Sequence, residues 1–174
     1  MKKILLSTML CLTLNFAATL DEGITYYNNG DYGKAYSIFE ELALKNDGAA
    51  QYNLGLMYAN GEGVKQDYLK AKEWYEKAAA QGDSFAQYNL GVMYANGKGV
   101  KQDYLKAREW YEKAAIQGYS AAQNNLAKMY YLGKGVNIDK FKSYELWLKA
   151  AKQGHSTSQE NLDILCKESP WACK

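Results

Sequence analysis

Residues 49–84 read AAQYNLGLMYANGEGVKQDYLKAKEWYEKAAAQGDS, and residues 85–120 repeat this stretch with 30 of 36 positions identical. A third, more diverged copy occupies residues 121–156, and a fourth breaks off within residues 157–174. A shortened copy with a tight Asn-Asn-Gly turn precedes them in residues 21–48. A fixed period of this length is typical of chains whose units stack on their neighbours, because no single unit can bury its apolar face alone.

Each copy is predicted to form a helix, a glycine-rich loop and a second helix. On the first helix, apolar residues recur on one side at helical spacing: Ala50, Leu54, Met57 and Tyr58. Gly55 leaves room beside them for the close approach of a neighbouring helix. On the second helix the predicted buried stripe consists of Tyr68, Ala71, Trp74, Tyr75, Ala78 and Ala79.

Residues that favour helix termini stand at the predicted boundaries. Asp67 lies where a side chain can cap the second helix, and Gly82 follows the last turn of that helix. We expect the first helices of the following copies to be capped by serines, namely Ser84, Ser120 and Ser156.

These residues resemble the Sel-1-like repeat, a longer-looped relative of the tetratricopeptide repeat. The resemblance is carried by Ala50, Leu54, Gly55, Tyr58, Gly61, Gly63, Val64, Asp67, Ala71, Trp74, Tyr75, Lys77, Ala78 and Ala79, with their counterparts one repeat later. It implies an all-α, right-handed superhelical solenoid of antiparallel helix pairs. The later copies depart from the pattern at Ala127, Ser143, Asp163 and Cys166, where we expect the helices to pack less closely.

Proteins of the fold that this chain resembles line a concave groove with the face of the first helices that lies opposite the core. Here that face would present a peptide-binding groove made of Tyr52, Asn53, Leu56, Asn60, Phe85, Tyr88, Asn89, Val92, Asn96 and Asn125. Its asparagines recur at the repeat spacing as far as Asn161, and a row of amides can donate to and accept from an extended peptide backbone. The alternative is structural, because Gln51 and Asn53 also belong to the repeat pattern and can bond neighbouring helices.

The N-terminal residues have the pattern of an export signal. Two lysines follow the initial methionine, and an uncharged apolar run then extends to about Leu20. We therefore expect residues 1–20 to be a cleaved signal peptide and the mature protein to be periplasmic or secreted. A membrane span is disfavoured because the strictly apolar part is shorter than the roughly 20 residues that cross a bilayer. A lipid anchor on Cys11 is disfavoured because large residues precede that cysteine.

The expected mature chain is electrostatically balanced. The sequence has 21 basic and 19 acidic side chains, and Lys2 and Lys3 lie in the signal. A neutral chain offers no electrostatic footprint for nucleic acid or anionic lipid. We therefore expect a protein or peptide partner, no nucleic acid and no stable membrane insertion, and we expect a monomer. The favoured function is that of an adaptor or scaffold.

Few side chains can support catalysis or metal binding. The one histidine, His155, lies in a linker between copies, and we expect no catalytic residue, metal or cofactor. The alternative function comes from resemblance, because cysteine-rich secreted Sel-1-like proteins are often classed as β-lactamases or penicillin-binding proteins. None of the serines has the lysine three residues later that serine β-lactamases use. The cysteine pair in every repeat that marks that group is also missing.

Two cysteines remain after the signal, Cys166 and Cys173. In an oxidising compartment we expect them to form a disulfide that ties the C-terminal tail to the last helix. Two free thiols on a frayed end are the alternative.

Overall fold

The computed structural model describes residues 18–173, which form nine α-helices and one short 3-10 helix and contain no strand. The helices are α1 (Leu20–Asn28), α2 (Tyr32–Leu44), α3 (Gly48–Asn60), α4 (Tyr68–Ala80), α5 (Ser84–Asn96), α6 (Tyr104–Ile116), α7 (Ser120–Leu132), α8 (Lys140–Lys152), α9 (Ser156–Glu168) and the 3-10 helix Pro170–Cys173. The expected all-α fold is confirmed. The predicted signal peptide lies outside the described residues, apart from its last three positions.

The helices pack as consecutive hairpins. Within a hairpin α1 contacts α2, α3 contacts α4, α5 contacts α6 and α7 contacts α8, and each hairpin packs on the next one along the chain. The last helix, α9, packs on α8 and on the 3-10 helix. This is the arrangement of a solenoid, in which a continuous core runs through neighbouring units. None of the helices in residues 18–173 has both the length and the apolarity to cross a membrane.

The second helices begin where the sequence predicts. The carboxylate of Asp67 accepts hydrogen bonds from the backbone N–H groups of Leu69 and Lys70, at 3.0 and 3.1 Å. Asp103 and Asp139 cap α6 and α8 in the same way. These carboxylates satisfy backbone donors that would otherwise have no partner in the first turn of the helix.

The predicted caps of the first helices are wrong by one residue. The three serines are instead the first helical residues of α5, α7 and α9: Ser84, Ser120 and Ser156. Only one extended residue separates the left-handed Gly82 from α5, so that residue, Asp83, becomes the cap and accepts from the N–H of Ala86 at 2.7 Å. His155 caps α9 through Nδ1, whereas Tyr119 offers α7 no side-chain cap.

The core of the first full hairpin depends on one close helix contact. A methyl group built on Gly55 would lie 2.5 Å from the ring of Tyr75, and one built on Gly91 would lie at the same distance from the ring of Tyr111 in the next hairpin. Glycine is therefore required for these rings to reach the first helix, as the sequence predicts. The stripe on α4 is narrower than predicted, because Tyr68 and Trp74 are only half-buried.

The hairpin of α7 and α8 keeps this packing with other residues. Ala127 takes the place of the glycine, Trp147 that of the tyrosine and Ser143 that of an alanine. Ala127 and Ser143 have no exposed surface, and Oγ of Ser143 donates to the carbonyl of Ala127 at 3.0 Å. The looser packing expected at these departures is therefore not observed here.

Buried glutamines link each hairpin to the one before it. Nε2 of Gln87 donates to the carbonyl of Ala79 at 3.4 Å, and Oε1 of Gln87 accepts from Nε2 of Gln117 at 2.8 Å. Gln51 and Gln123 repeat the pattern. The expectation that Gln51 bonds neighbouring helices is confirmed, and a buried amide satisfied in this way fixes the register between hairpins.

Candidate functional site

The residues predicted to line a groove lie on the first helices, outside the core. Three of them are exposed, namely Asn60, Phe85 and Asn96. The others are half-buried: Tyr52, Asn53, Leu56, Tyr88, Asn89, Val92 and Asn125. We call this surface of α3, α5 and α7 the first-helix face. It contains a cleft and a row of aromatic rings.

The cleft has a volume of about 330 Å³ and lies between α5 and α7. It is lined by Tyr88, Val92, Ala95, Asn96, Tyr104, Tyr111, Asn125, Lys128, Met129, Leu132 and Lys134. Four predicted groove residues meet here: Tyr88, Val92, Asn96 and Asn125. The other six lie outside the lining: Tyr52, Asn53, Leu56, Asn60, Phe85 and Asn89. The volume is at the lower end of the range found for ligand pockets, so the cleft has room for a few side chains of a bound segment.

The aromatic row runs along the N-terminal ends of the same helices and reaches the cleft at Tyr88. Ring centroids are 5.7 Å apart between Tyr52 and Phe85, 4.9 Å between Phe85 and Tyr119, and 5.1 Å between Tyr119 and Tyr88. Phe85 and Tyr119 stand where the preceding, nearly identical copy has alanine and aspartate. Two of the few differences between these copies therefore create the middle of the row, a signal that the sequence contained and that our prediction missed for Tyr119.

The row is anchored on the buried tyrosines of the second helices. Tyr52 packs on Tyr75 with centroids 6.0 Å apart, and Tyr88 packs on Tyr111 at 5.8 Å. Burial is the main cause that raises the pKa of Tyr52 to about 12, and it also raises the pKa of Tyr75 and Tyr111. These three hydroxyls are therefore neutral at physiological pH and add no charge to the face.

The predicted row of asparagines is partly engaged within the protein. Nδ2 of Asn53 donates to the carbonyl of Ala49 at 2.9 Å, and Nδ2 of Asn125 donates to the hydroxyl of Tyr88 at 3.5 Å. Asn161 donates to another side-chain amide at 3.1 Å. Each of these three amides therefore already uses a donor within the protein, Asn53 inside its own helix and the other two between helices.

The charges at the cleft are of one sign. The helices α3, α5 and α7, each 13 residues long, contain no aspartate or glutamate. Lys128 and Lys134 line the cleft and are exposed, and within residues 18–173 neither is within salt-bridge distance of a carboxylate. Nζ of Lys134 lies 5.4 Å from the ring centroid of Tyr104. The cleft therefore presents positive charge without an internal counter-charge.

The sign of the charge changes along the first-helix face. Glu62, Lys98 and Lys134 are equivalent residues of the first, second and third copies. The carboxylate of Glu62 accepts from the hydroxyl of Tyr27 at 2.5 Å and from Nδ2 of Asn60 at 3.0 Å. The face is therefore acidic at its N-terminal end and basic at the cleft.

A second cleft, of about 560 Å³, lies between α6, α7 and α8. It is lined by Glu112, Ala115, Ile116, Gly118, Gln123, Leu126, Tyr130, Lys142, Leu146 and Lys149. Glu112 stands there beside Lys142 and Lys149, so both signs of charge are present. Its two lysines make it a matched control surface for the cleft between α5 and α7.

The C-terminal tail packs on the last helices. Cys166 and Cys173 are bonded, with Cα atoms 5.6 Å apart, and the ring of Trp171 meets that of Phe141 edge-on at 5.1 Å. Within the part of the chain that the structure describes, no group of three or more histidine, cysteine, aspartate or glutamate residues is placed to hold a metal ion. His155 acts as a helix cap.

Comparisons with known proteins agree on the repeat. The family model described as Sel1 repeat matches residues 48–83, 84–119 and 120–155. Among solved structures, the chain is similar to a protective antigen present in uropathogenic Escherichia coli strains and displaying an SLR fold, with 34% identity and a TM-score of 0.81 over 86% of this chain and 33% of that chain. It is also similar to a Sel1 repeat protein from Oxalobacter formigenes, with 29% identity and a TM-score of 0.80 over 84% and 60% of the two chains.

A third similar structure is that of cysteine rich protein B from Helicobacter pylori. Identity is 24% and the TM-score is 0.57, over 82% of this chain and 94% of that chain, a likeness of fold alone. The chain thus spans 33% of the Escherichia coli antigen and 60% of the Oxalobacter protein. The search of curated proteins found no match of comparable significance.

Proposed function

Because the chain belongs to the Sel1 repeat family, whose members generally serve as scaffolds for protein interactions, we propose that it binds a peptide segment of a partner protein in the cleft between α5 and α7. The observation that carries the proposal is the composition of that cleft. Val92 and Leu132 offer apolar contact beside the amides of Asn96 and Asn125. Sites that bind extended ligands combine such apolar walls with a few polar groups.

The aromatic row extends this binding surface beyond the cleft. Phe85 is 48% exposed, although it is packed between two tyrosine rings. A ring already held by its neighbours loses little conformational entropy when a partner covers it, so it adds contact area at low cost. The partner segment would leave the cleft at Tyr88 and continue over Phe85.

Proteins of this family are typically not enzymes. The hydrolase alternative has no observation in its favour among the described residues, so the binding function is the one that we propose.

Export of the mature chain is part of the same proposal. The N–H of Glu22 donates to Oγ1 of Thr19 at 3.3 Å, and the N–H of Thr19 donates to Glu22 at 3.0 Å, a capping box that starts α1. Cleavage before Thr19 would keep this cap. Intact mass of protein from the periplasmic fraction should give an N-terminus between positions 18 and 21, and thiol titration should find no free cysteine. A start beyond position 21, an uncleaved chain or two titratable thiols would contradict these expectations.

The binding function is tested by filling the cleft. Asn96 is exposed and is the last residue of α5, so the variant Asn96→Trp should place an indole in the cleft without disturbing the core. Asn60→Trp makes the same change at the equivalent position of α3, outside the cleft. The full mature chain and both variants are used to capture partners from an envelope extract. A partner retained by Asn60→Trp and lost by Asn96→Trp, at unchanged melting temperatures, is expected; equal capture by both variants would refute the site.

A further inference from the structure

We infer that the segment bound between α5 and α7 is an acidic peptide, whose side-chain carboxylates contact Lys128 and Lys134 while its apolar side chains lie on Val92 and Leu132. All four residues line the one cleft. The inference rests on the proposed function, because it names the chemistry of the occupant of the same cleft.

The main argument is the missing counter-charge. On the second helices two basic side chains have a carboxylate partner one helical turn away: Nζ of Lys72 lies 2.7 Å from Glu76, and Nε of Arg108 lies 3.7 Å from Glu112. On α7 no carboxylate accompanies Lys128, since the helix contains none. A partner that supplies carboxylates would compensate the charge at this cleft, and charge-assisted hydrogen bonds are the stronger ones.

The number of lysines favours acidic side chains over a chain-terminal carboxylate. Lys128 projects from α7 and Lys134 from the loop that follows α7, so the cleft has a basic group on two separate segments. The ammonium group of Lys134 lies 5.4 Å from the ring centroid of Tyr104, at the edge of the cleft. One terminal carboxylate can neutralise only one charge, whereas a segment with several glutamates or aspartates can meet both.

The charge gradient of the first-helix face gives the direction of binding. Glu62, the first-copy equivalent of Lys134, would repel an acidic segment, because like charges at an interface are unfavourable. The acidic part of the partner is therefore expected over the third copy. Its less charged part would cross the aromatic row towards Tyr52.

The test uses synthetic peptides and the full mature chain. A fluorescein-labelled, amidated peptide of alternating leucine and glutamate is compared, by fluorescence anisotropy, with its leucine–glutamine analogue. A third probe is the leucine–glutamine peptide with a free C-terminal carboxylate. The glutamate peptide should bind about tenfold more tightly than either of the others, and its affinity should fall as salt is raised. Equal affinities of the three peptides, or no binding of the glutamate peptide, would overturn the inference.

The variants restore residues that the other copies already contain, so the fold can accept them. Lys128→Val introduces the residue of the second copy, and Lys134→Glu introduces that of the first. The matched control, Lys149→Val with Lys142→Glu, changes the net charge equally at the second cleft. The double variant at Lys128 and Lys134 should lose about tenfold in affinity for the glutamate peptide, and the control should lose little. Equal losses in the two double variants would mean that net charge alone attracts the peptide, and the inference would fall.

The variant Asn96→Trp separates this inference from the proposed function. If the glutamate and glutamine peptides bind equally and Asn96→Trp removes both, the cleft is a binding site and only its acidic preference is wrong. If the glutamate peptide still binds Asn96→Trp at full affinity, the cleft is not the site and both claims fail. Sedimentation of the chain without peptide checks whether a second copy occupies the cleft; a dimer dissociated by Asn96→Trp would replace the acidic peptide as the occupant.

Discussion

The second and third copies share one 36-residue frame but pack its first-helix face in two ways. In the second copy Gly91 admits the ring of Tyr111, and Tyr88 packs on that ring at a tilt, with centroids 5.8 Å apart. In the third copy Ala127 and Trp147 occupy the equivalent positions, and both are buried. The position of Tyr88 is no longer aromatic there.

Asn124 replaces that tyrosine and becomes the centre of a polar cluster. Its Oδ1 accepts from Nε1 of Trp147 at 3.1 Å, from Oγ of Ser158 at 3.2 Å and from Nδ2 of Asn161 at 3.1 Å. In the third copy this cluster connects α7, α8 and α9, whereas in the second copy the rings of Tyr88 and Tyr111 pack on each other. The comparison teaches that the shared leucines, caps and buried glutamines maintain the frame, while the first-helix face is free to change.

The largest expected effect tests the shared frame. Leu90 and Leu126 are equivalent and both buried, so Leu90→Ala and Leu126→Ala should each lower the free energy of unfolding by about 2–5 kcal/mol. Urea denaturation of the two variants measures both losses under the same conditions. A much smaller loss for Leu126→Ala would mean that the third copy is loosely packed, and the comparison between the copies would break.

A somewhat smaller loss is expected where the two copies differ in the core. Gly91→Ala places a methyl group 2.5 Å from the ring of Tyr111, and overpacking of this kind should lower stability by about 2–3 kcal/mol. Ala127→Gly, the converse change in the third copy, should cost about 1 kcal/mol through helix propensity. Thermal melts of Gly91→Ala and Ala127→Gly measure the two losses of stability. A Gly91→Ala protein as stable as the unmodified chain would show that the ring of Tyr111 can move aside.

The polar cluster should contribute less to the free energy of unfolding than the buried leucines or the contact between Gly91 and Tyr111. Asn124→Ala removes the acceptor of the Trp147 indole and of Ser158, so the free energy of unfolding should fall by about 1–2 kcal/mol. Asn161→Ala removes a single donor of the cluster and should cost less. If the two variants are equally stable by urea denaturation, water replaces Asn124 as the acceptor for Trp147 and Ser158. The cluster then does not stabilise the third copy.

The smallest effect is expected on the part of the first-helix face outside the cleft. Asn53→Ala combined with Asn89→Ala should cost about 1 kcal/mol, since the pair loses the part-buried hydrogen bond from Asn53 to Ala49 and two half-buried side chains. Because neither residue lines the cleft, affinity for a captured partner should stay the same. Calorimetric titration of the double variant checks this, and a clear loss of affinity would restore the asparagine row as the binding surface that its spacing predicts.

The sequence was sufficient for features that repeat with the period. The spacing of Leu54 and its equivalents, the glycine opposite Tyr75 and the cap at Asp67 all follow from local rules, and the structure confirms each of them. The predicted caps at Ser84, Ser120 and Ser156 were wrong by one residue. The residue types do not reveal that only one extended residue follows the left-handed glycine before the helix begins.

The position of the cleft could not be predicted in the same way. Its lining combines α5, α6 and α7 with the loop after α7, and it depends on Lys128 and Leu132, which differ from their equivalents in the second copy. Periodicity predicts the same groove in every repeat. The cleft described here instead lies between the second and third copies, where their sequences diverge. The cluster at Asn124 was missed for the same reason, because it joins three helices of one diverged copy.

The central claim is that a partner occupies the cleft between α5 and α7, and hydrogen exchange measured with and without the captured partner tests it most directly. The account predicts slower exchange in residues 92–96 and 125–134 when the partner is bound, with residues 56–60 of the equivalent first-copy helix unchanged. Protection confined to residues 142–149, at the second cleft, with none between α5 and α7, would contradict it.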